Sequence, residues 1–173
     1  GMDARTIKPV RIKGEFTRDH QVMVNRLADI LSNEYNGKRV HTLFLDSAGI
    51  AGPVASRLRQ LGFRNVQEVN FGADSPDSKC RYMRDYMWEQ MKQWLLTGAI
   101  PKDPELEADL TGPGVVNDQK QRIWLESKKD MKARGLDSPD DGDALALTFA
   151  SPVRAPVRRR GSQDAIPREY QWV

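Results

Sequence analysis

The chain has 173 residues, of which 39% are hydrophobic and 29% charged, which suits one domain with a buried core and excludes a disordered chain. Its 27 Lys and Arg against 24 Asp and Glu give a net charge of +3, too small an excess to indicate a nucleic-acid-binding protein by itself. No apolar run is long enough to span a bilayer. One cysteine, Cys80, and two histidines, His20 and His41, exclude the usual four-ligand structural zinc site.

Apolar periodicity predicts alternating strands and helices in the first half of the chain. Residues 9–16 alternate apolar and polar side chains, which predicts a half-buried strand. Helical spacing over residues 21–35 predicts a helix capped by Asp19 and ended by the Asn-Gly pair at residues 36 and 37. A buried strand over residues 41–46, a helix over 53–61 and a strand over 65–71 follow.

The second half is predicted to be mainly helical. The elements are an aromatic helix over residues 82–96 with a buried Met stripe, a short helix over 103–110, a strand over 122–126 and a basic turn over 128–134. The last helix is expected to have Ser138 as its cap and Pro139 in its first turn, and to extend to residue 150. This order predicts an α/β fold over residues 1–152, followed by a basic tail over residues 153–173.

Asp46 is the first candidate functional residue. It ends a short apolar strand, and α/β sheets place their ligands at the C-terminal ends of strands. Burying a carboxylate there is costly unless a positive group meets it. The alternative is that Asp46 only caps the turn through Ser47 and Ala48.

The second candidate is the acidic start of the last helix. Asp140 and Asp143 are three residues apart and therefore share a helix face. Complementing the helix dipole explains Asp140 and Asp141 without any function. Asp143 lies among residues expected to be buried, where an unpaired carboxylate favours a hard cation such as Mg²⁺ or Mn²⁺. A strand-end carboxylate and a helix carboxylate are what a two-metal phosphodiester site needs. No phosphate-binding P-loop or Ser nucleophile elbow is present.

Several segments, in order, resemble the nuclease domain of large terminase subunits from tailed bacteriophages and prophages. They are residues 45–62 (LDSAGIAGPVASRLRQLG), 69–73 (VNFGA), 86–89 (YMWE), 94–95 (WL), 125–132 (LESKKDMK) and 138–149 (SPDDGDALALTF). The resemblance covers residues 3–152. Its most specific parts are the Asp46 turn, the Glu-Ser-Lys block and the Ser-Pro-Asp block.

The resemblance implies an RNase H-like fold, with a mixed central sheet flanked by helices. It implies a Mg²⁺- or Mn²⁺-dependent endonuclease that cuts concatemeric DNA during packaging, with Asp46, Asp143 and Asp140 as the catalytic and metal-binding carboxylates. The family has a further catalytic Asp on its first strand, upstream of the segment that residues 3–12 resemble. We therefore expect the chain to be N-terminally truncated and to lack that strand.

The implied partners are double-stranded DNA, the terminase ATPase domain, the small terminase subunit and the portal, in the cytoplasm of a bacterial host. Because the body of the chain is charge-neutral, phosphate contacts need localised cations. The candidates are Lys128, Lys129, Lys132 and Arg134 near the site and Arg158, Arg159 and Arg160 in the tail. For the tail, a solvated segment without DNA contacts is equally open.

Two alternatives to an active terminase nuclease stay open. One is a catalytically incomplete or vestigial DNA-binding or packaging module of the same fold, because the first-strand Asp is absent. The other is a different RNase H-like nuclease, such as a resolvase.

Overall fold

The computed structural model describes residue 11, residues 19–35 and residues 37–153. Of the predicted strand over residues 9–16 only residue 11 is described, and the predicted basic tail lies outside the described residues from residue 154 onwards. In chain order the elements are α1 (His20–Ser32), β1 (Glu34–Tyr35), β2 (Lys38–Arg39), β3 (Leu43–Asp46), α2 (Ala51–Gln60), β4 (Val66–Val69), α3 (Met83–Leu95), α4 (Pro104–Thr111), β5 (Val115–Asn117), β6 (Ile123–Leu125), α5 (Lys128–Ala133) and α6 (Asp140–Leu147).

The parallel pair β3 and β4 lies at the centre of the described fold. Leu43 pairs with Val66 and Asp46 pairs with Val69, so the predicted strand ending at Asp46 is confirmed, although its residues are half-buried and not fully buried. Parallel strands need a crossover connection, and α2 supplies it. The α/β class predicted from the sequence is therefore present.

One face of this pair packs against α1 and α2. Leu43, Leu45 and Val66 contact a buried cluster whose other members include Val24, Leu31, Val54, Ala55 and Leu58. The predicted cap of α1 is also confirmed, because a side-chain oxygen of Asp19 accepts a hydrogen bond from the Gln21 backbone N–H at 2.8 Å.

The other face of the pair packs against α3 and α6. Phe44 and Val69 belong to a cluster with Met87 and Met91 of α3 and residues 145–147 of α6. Met87 is 0% exposed and Met91 2% exposed, which confirms the predicted Met stripe as core. Because side chains alternate along a strand, Asp46 lies on the same face as Phe44. This is the face on which α6 packs.

The predicted end of the first helix is wrong. Helix α1 ends at Ser32, and β1 and β2 form an antiparallel hairpin joined by residues 36 and 37. Gly37 has φ +72°, the left-handed conformation that a two-residue hairpin turn requires. Gly37 therefore belongs to a hairpin turn, and the helix ends before it. Strand β5, which pairs antiparallel with β6, has no counterpart among the predicted elements, because its three residues are all exposed and give no burial pattern.

The sheet also differs from the expected single mixed sheet. The described strands form one parallel and two antiparallel sheets of two strands each. The helices lie on both faces of the parallel one, as an α/β layer arrangement requires. Within the same residues, no helix is long and apolar enough to cross a membrane.

The start of α6 is fixed by a residue far away in sequence. The helix begins at Asp140 and ends at Leu147, so it is shorter than predicted, and Ser138 is not its cap. Asp109 of α4 accepts hydrogen bonds from the backbone N–H groups of Asp141 at 2.7 Å and Gly142 at 3.2 Å. The cap is supplied by tertiary structure, which the local sequence does not show.

Replacement of Asp109 by Ala should destabilise the protein by about 1–2 kcal/mol, since it removes the acceptor for the free N–H groups of α6. Asp109→Asn keeps an acceptor oxygen in the same place, so it should reduce the free energy of unfolding by clearly less than Asp109→Ala does. The free energy of unfolding from urea titration measures both variants. Equal losses in the two would show that the contact with α6 is unimportant for stability.

Candidate functional site

Asp143 is a buried carboxylate in the first turn of α6. It is 5% exposed. Its Oδ1 accepts a hydrogen bond from the Trp88 indole Nε1 at 2.8 Å and another from the Arg84 Nε at 2.9 Å. Arg84 and Trp88 are four residues apart in α3, so both side chains lie on the same face of that helix. Two donors from α3 therefore orient one oxygen of Asp143.

The other oxygen of Asp143 faces Lys128, the first residue of α5. The Lys128 Nζ lies 3.0 Å from Asp143 Oδ2 and 3.1 Å from Asp140 Oδ1. Asp143 Oδ2 has no aligned hydrogen bond within the described part of the chain, so the contact with Lys128 is an ion pair. Burial acts to lower the pKa of Lys128, but the two carboxylates outweigh it, and the pKa of Lys128 is raised. Asp140 and Asp143 thus converge on one cation, as their shared helix face predicts.

Arg84 links this site to the strand β6. Besides its bond to Asp143, its Nη1 donates to the backbone carbonyl oxygen of Glu126 at 3.1 Å. Its Nη2 is buried and has no hydrogen-bond partner among the residues described. The Arg84 side chain is only 12% exposed, against 42% for Lys128. Arg84 is therefore a fixed part of the core, whereas the ammonium group of Lys128 reaches solvent.

Asp46 is half-buried at the end of β3. Its Oδ1 accepts a hydrogen bond from the Ala48 backbone N–H at 3.2 Å. The turn-capping role considered for Asp46 is therefore present. A single such bond leaves the second carboxylate oxygen available for another role, since a carboxylate offers about four acceptor positions.

Whether this site fits a metal ion depends on how its carboxylates are arranged. In the described residues, no group of three or more His, Cys, Asp or Glu side chains is arranged to hold a metal. Asp46 therefore does not complete a three-ligand set with Asp140 and Asp143 in this conformation. The pair Asp140 and Asp143 does fit one hard cation, because their oxygens converge on the Lys128 ammonium and Asp143 Oδ2 lacks an aligned hydrogen bond.

The predicted DNA-binding residues divide into two groups. Lys128 is paired with the site carboxylates. Arg134 binds Glu126 through two contacts, Nε to Oε1 at 2.8 Å and Nη2 to Oε2 at 2.5 Å. Lys129 and Lys132 of α5 are exposed, and the tail arginines Arg158, Arg159 and Arg160 lie outside the described residues. Among the predicted cations in the described residues, Lys129 and Lys132 are thus the two that are exposed and form no ion pair there.

Glu126 was not singled out from the sequence, although it belongs to the Glu-Ser-Lys block. Hydrogen bonding from Arg134 holds the pKa of Glu126 below its usual range, and the Gly114 backbone N–H adds a bond at 2.9 Å. Glu126 and Arg134 line an open cavity of about 610 Å³ beside β5 and β6. Arg134 therefore compensates the charge of the Glu126 carboxylate inside this cavity.

Arg84 and Trp88 were also missed. Each lies in a helix that the sequence does predict, but a lone arginine in an aromatic helix resembles a solvated charge. Their spacing of four residues is the only local signal, and it carries no information about Asp143, more than fifty residues away.

No protein-family model matches this chain, and no curated protein matches it either. The resemblance to terminase nucleases therefore rests on the ordered segments of the chain itself and on the site described above.

Asp143→Ala should destabilise the protein by about 3–5 kcal/mol, because it leaves the buried Arg84 without its carboxylate. Asp140→Ala, in the same helix turn but exposed, should cost less than about 1 kcal/mol, the usual range for a surface ion pair. The free energy of unfolding from guanidinium titration compares the two. A loss below 1 kcal/mol for Asp143→Ala would show that the buried pair does not anchor α6.

Proposed function

We propose that this chain is a metal-dependent DNA endonuclease domain of RNase H-like fold, of the type found in large terminase subunits. The observation that carries the proposal is the convergence of Asp140 and Asp143 on one cation position. Helix α6, which bears both residues, packs on the sheet face to which Asp46 belongs. The order of the resembling segments along residues 45–149 supports the same family.

In this proposal Asp143, Asp140 and Asp46 are the residues that would hold Mg²⁺ or Mn²⁺ as a two-metal site. Metal ions in such a site activate water and stabilise the leaving oxygen of a phosphodiester. The protein's own contribution is orientation. Trp88 and Arg84 hold Asp143 Oδ1, so Oδ2 is directed towards the cation position.

Double-stranded DNA is the proposed substrate, and it has to be held against an acidic site. Lys129 and Lys132 lie on the helix that begins with Lys128 and are exposed. They can contact phosphates without breaking an ion pair seen in the described residues. The terminase ATPase domain, the small terminase subunit and the portal are the proposed protein partners.

A non-cleaving DNA-binding or packaging module of the same fold is the second candidate. Two observations favour it: Asp143 is neutralised by both Arg84 and Lys128, and the described residues form no three-ligand acidic group. A protein of this kind would bind DNA through the same exposed lysines without hydrolysing it.

Nicking of supercoiled plasmid in the presence of Mn²⁺ tests the proposal. The unmodified chain should nick DNA, and Asp143→Asn and Asp46→Asn should each reduce the rate by about 100-fold or more, because even outer-shell partners of metal ligands cost 10–100-fold. Asp137→Asn, an exposed carboxylate outside the site with the same charge change, is the matched control. DNA binding without nicking by the unmodified chain would contradict the nuclease and support the second candidate.

A further inference from the structure

The cation position between Asp140 and Asp143 is filled by a residue of the protein itself. The Lys128 Nζ lies within 3.1 Å of an oxygen of each carboxylate. Magnesium binds carboxylate oxygens at about 2.0–2.1 Å. An ion held by both carboxylates would therefore occupy the volume that the ammonium group now takes.

We propose that Lys128 is a built-in competitor of the divalent cation and leaves the carboxylates when the metal binds. The inference rests on the proposed function, because the cation position is the proposed metal site. It deepens that proposal by assigning a regulatory role to a residue predicted only to contact DNA. Binding of metal then requires the lysine to leave, so its charge sets the metal concentration at which the site fills.

The difference in burial between the two cations on Asp143 indicates which of them leaves. Arg84 is 12% exposed and is bonded to Asp143 and to the backbone after β6. Lys128 is 42% exposed, and its long flexible stem allows the ammonium group to move into water while the backbone stays in place. Arg84 therefore remains as the support of Asp143 Oδ1, and Oδ2 changes its partner.

Local helix stability does not explain the presence of Lys128. It occupies the first position of α5, directly after the Ser127 cap. A positive charge in the first turn opposes the helix dipole, which favours anions there. The favourable interactions of Lys128 are those with Asp140 and Asp143, so its position is explained by the carboxylates.

Calorimetric titration with Mn²⁺ alone tests the competition. Lys128→Met removes the charge and keeps the apolar stem, and should tighten Mn²⁺ binding by about tenfold or more, given the strength of charge interactions at this distance. Lys120→Met, an exposed lysine between β5 and β6 with the same charge change, should stay within about twofold of the unmodified chain. Circular dichroism confirms that each variant is folded.

The outcomes separate the inference from the proposed function. Equal or weaker Mn²⁺ binding by Lys128→Met than by the unmodified chain overturns the competition but leaves a metal site in place. Absence of Mn²⁺ binding in both proteins overturns the competition and the proposed metal site together. Tighter binding that Asp143→Asn abolishes supports both.

A second measurement uses the unmodified chain. Acetylation of lysines by limiting acetic anhydride, followed by mass spectrometry, reports how accessible each amine is. Addition of Mg²⁺ should raise the labelling of Lys128 several-fold and leave that of the exposed Lys129 unchanged. Unchanged or reduced labelling of Lys128 at Mg²⁺ concentrations that fill the site would overturn the inference.

Discussion

The neutralisation of Asp143 inside the protein is the interaction on which the site depends. A carboxylate at this depth is tolerated only if positive or hydrogen-bonding groups surround it. Arg84 and Trp88 supply those groups from α3, and Lys128 supplies a further charge from α5. One side chain of α6 therefore ties three helices together, and the ends of β6 and α5 are held through Arg84 and Lys128.

The start of α6 has two further constraints of different kinds. The first is Asp109 of α4, whose side chain accepts hydrogen bonds from backbone N–H groups in the first turn of α6. At Gly142 an added Cβ would lie 2.9 Å from the Trp88 ring, so the close approach of α6 to α3 requires glycine. Because Trp88 both packs on Gly142 and donates to Asp143, the apolar contact and the polar contact depend on the same position of the helix. These two contacts together fix the position of α6, and with it Asp140 and Asp143, relative to the sheet.

Much of the fold could be predicted from local patterns. The strand ending at Asp46, the Asp19 cap and the Met stripe of α3 follow from periodicity and capping chemistry, which act over a few residues. The shared face of Asp140 and Asp143 follows from helix geometry. The hairpin at Gly37 carried a local signal too, but its strands are only two residues long and were hidden behind the helical pattern of α1.

The remaining features depend on contacts between distant residues. Arg84 pairs with Asp143, and Asp109 caps α6, across large separations in sequence that propensity cannot bridge. The ion pair between Arg134 and Glu126 is likewise not predictable from the sequence. The composition shows a basic segment, but only the tertiary structure shows which of its charges are paired. The site that emerges therefore differs from the predicted one. The carboxylates of Asp140 and Asp143 converge on Lys128, and Asp46 lies at the end of a strand on the sheet face against which α6 packs.

Anomalous diffraction from crystals soaked in Mn²⁺ tests the central claim most directly, because it locates the ion without relying on catalysis. The account predicts a peak within coordination distance of both Asp140 and Asp143, with the ammonium group of Lys128 displaced and Arg84 still bonded to Asp143. A peak elsewhere on the protein, or no peak with Lys128 still between the two carboxylates, would contradict it.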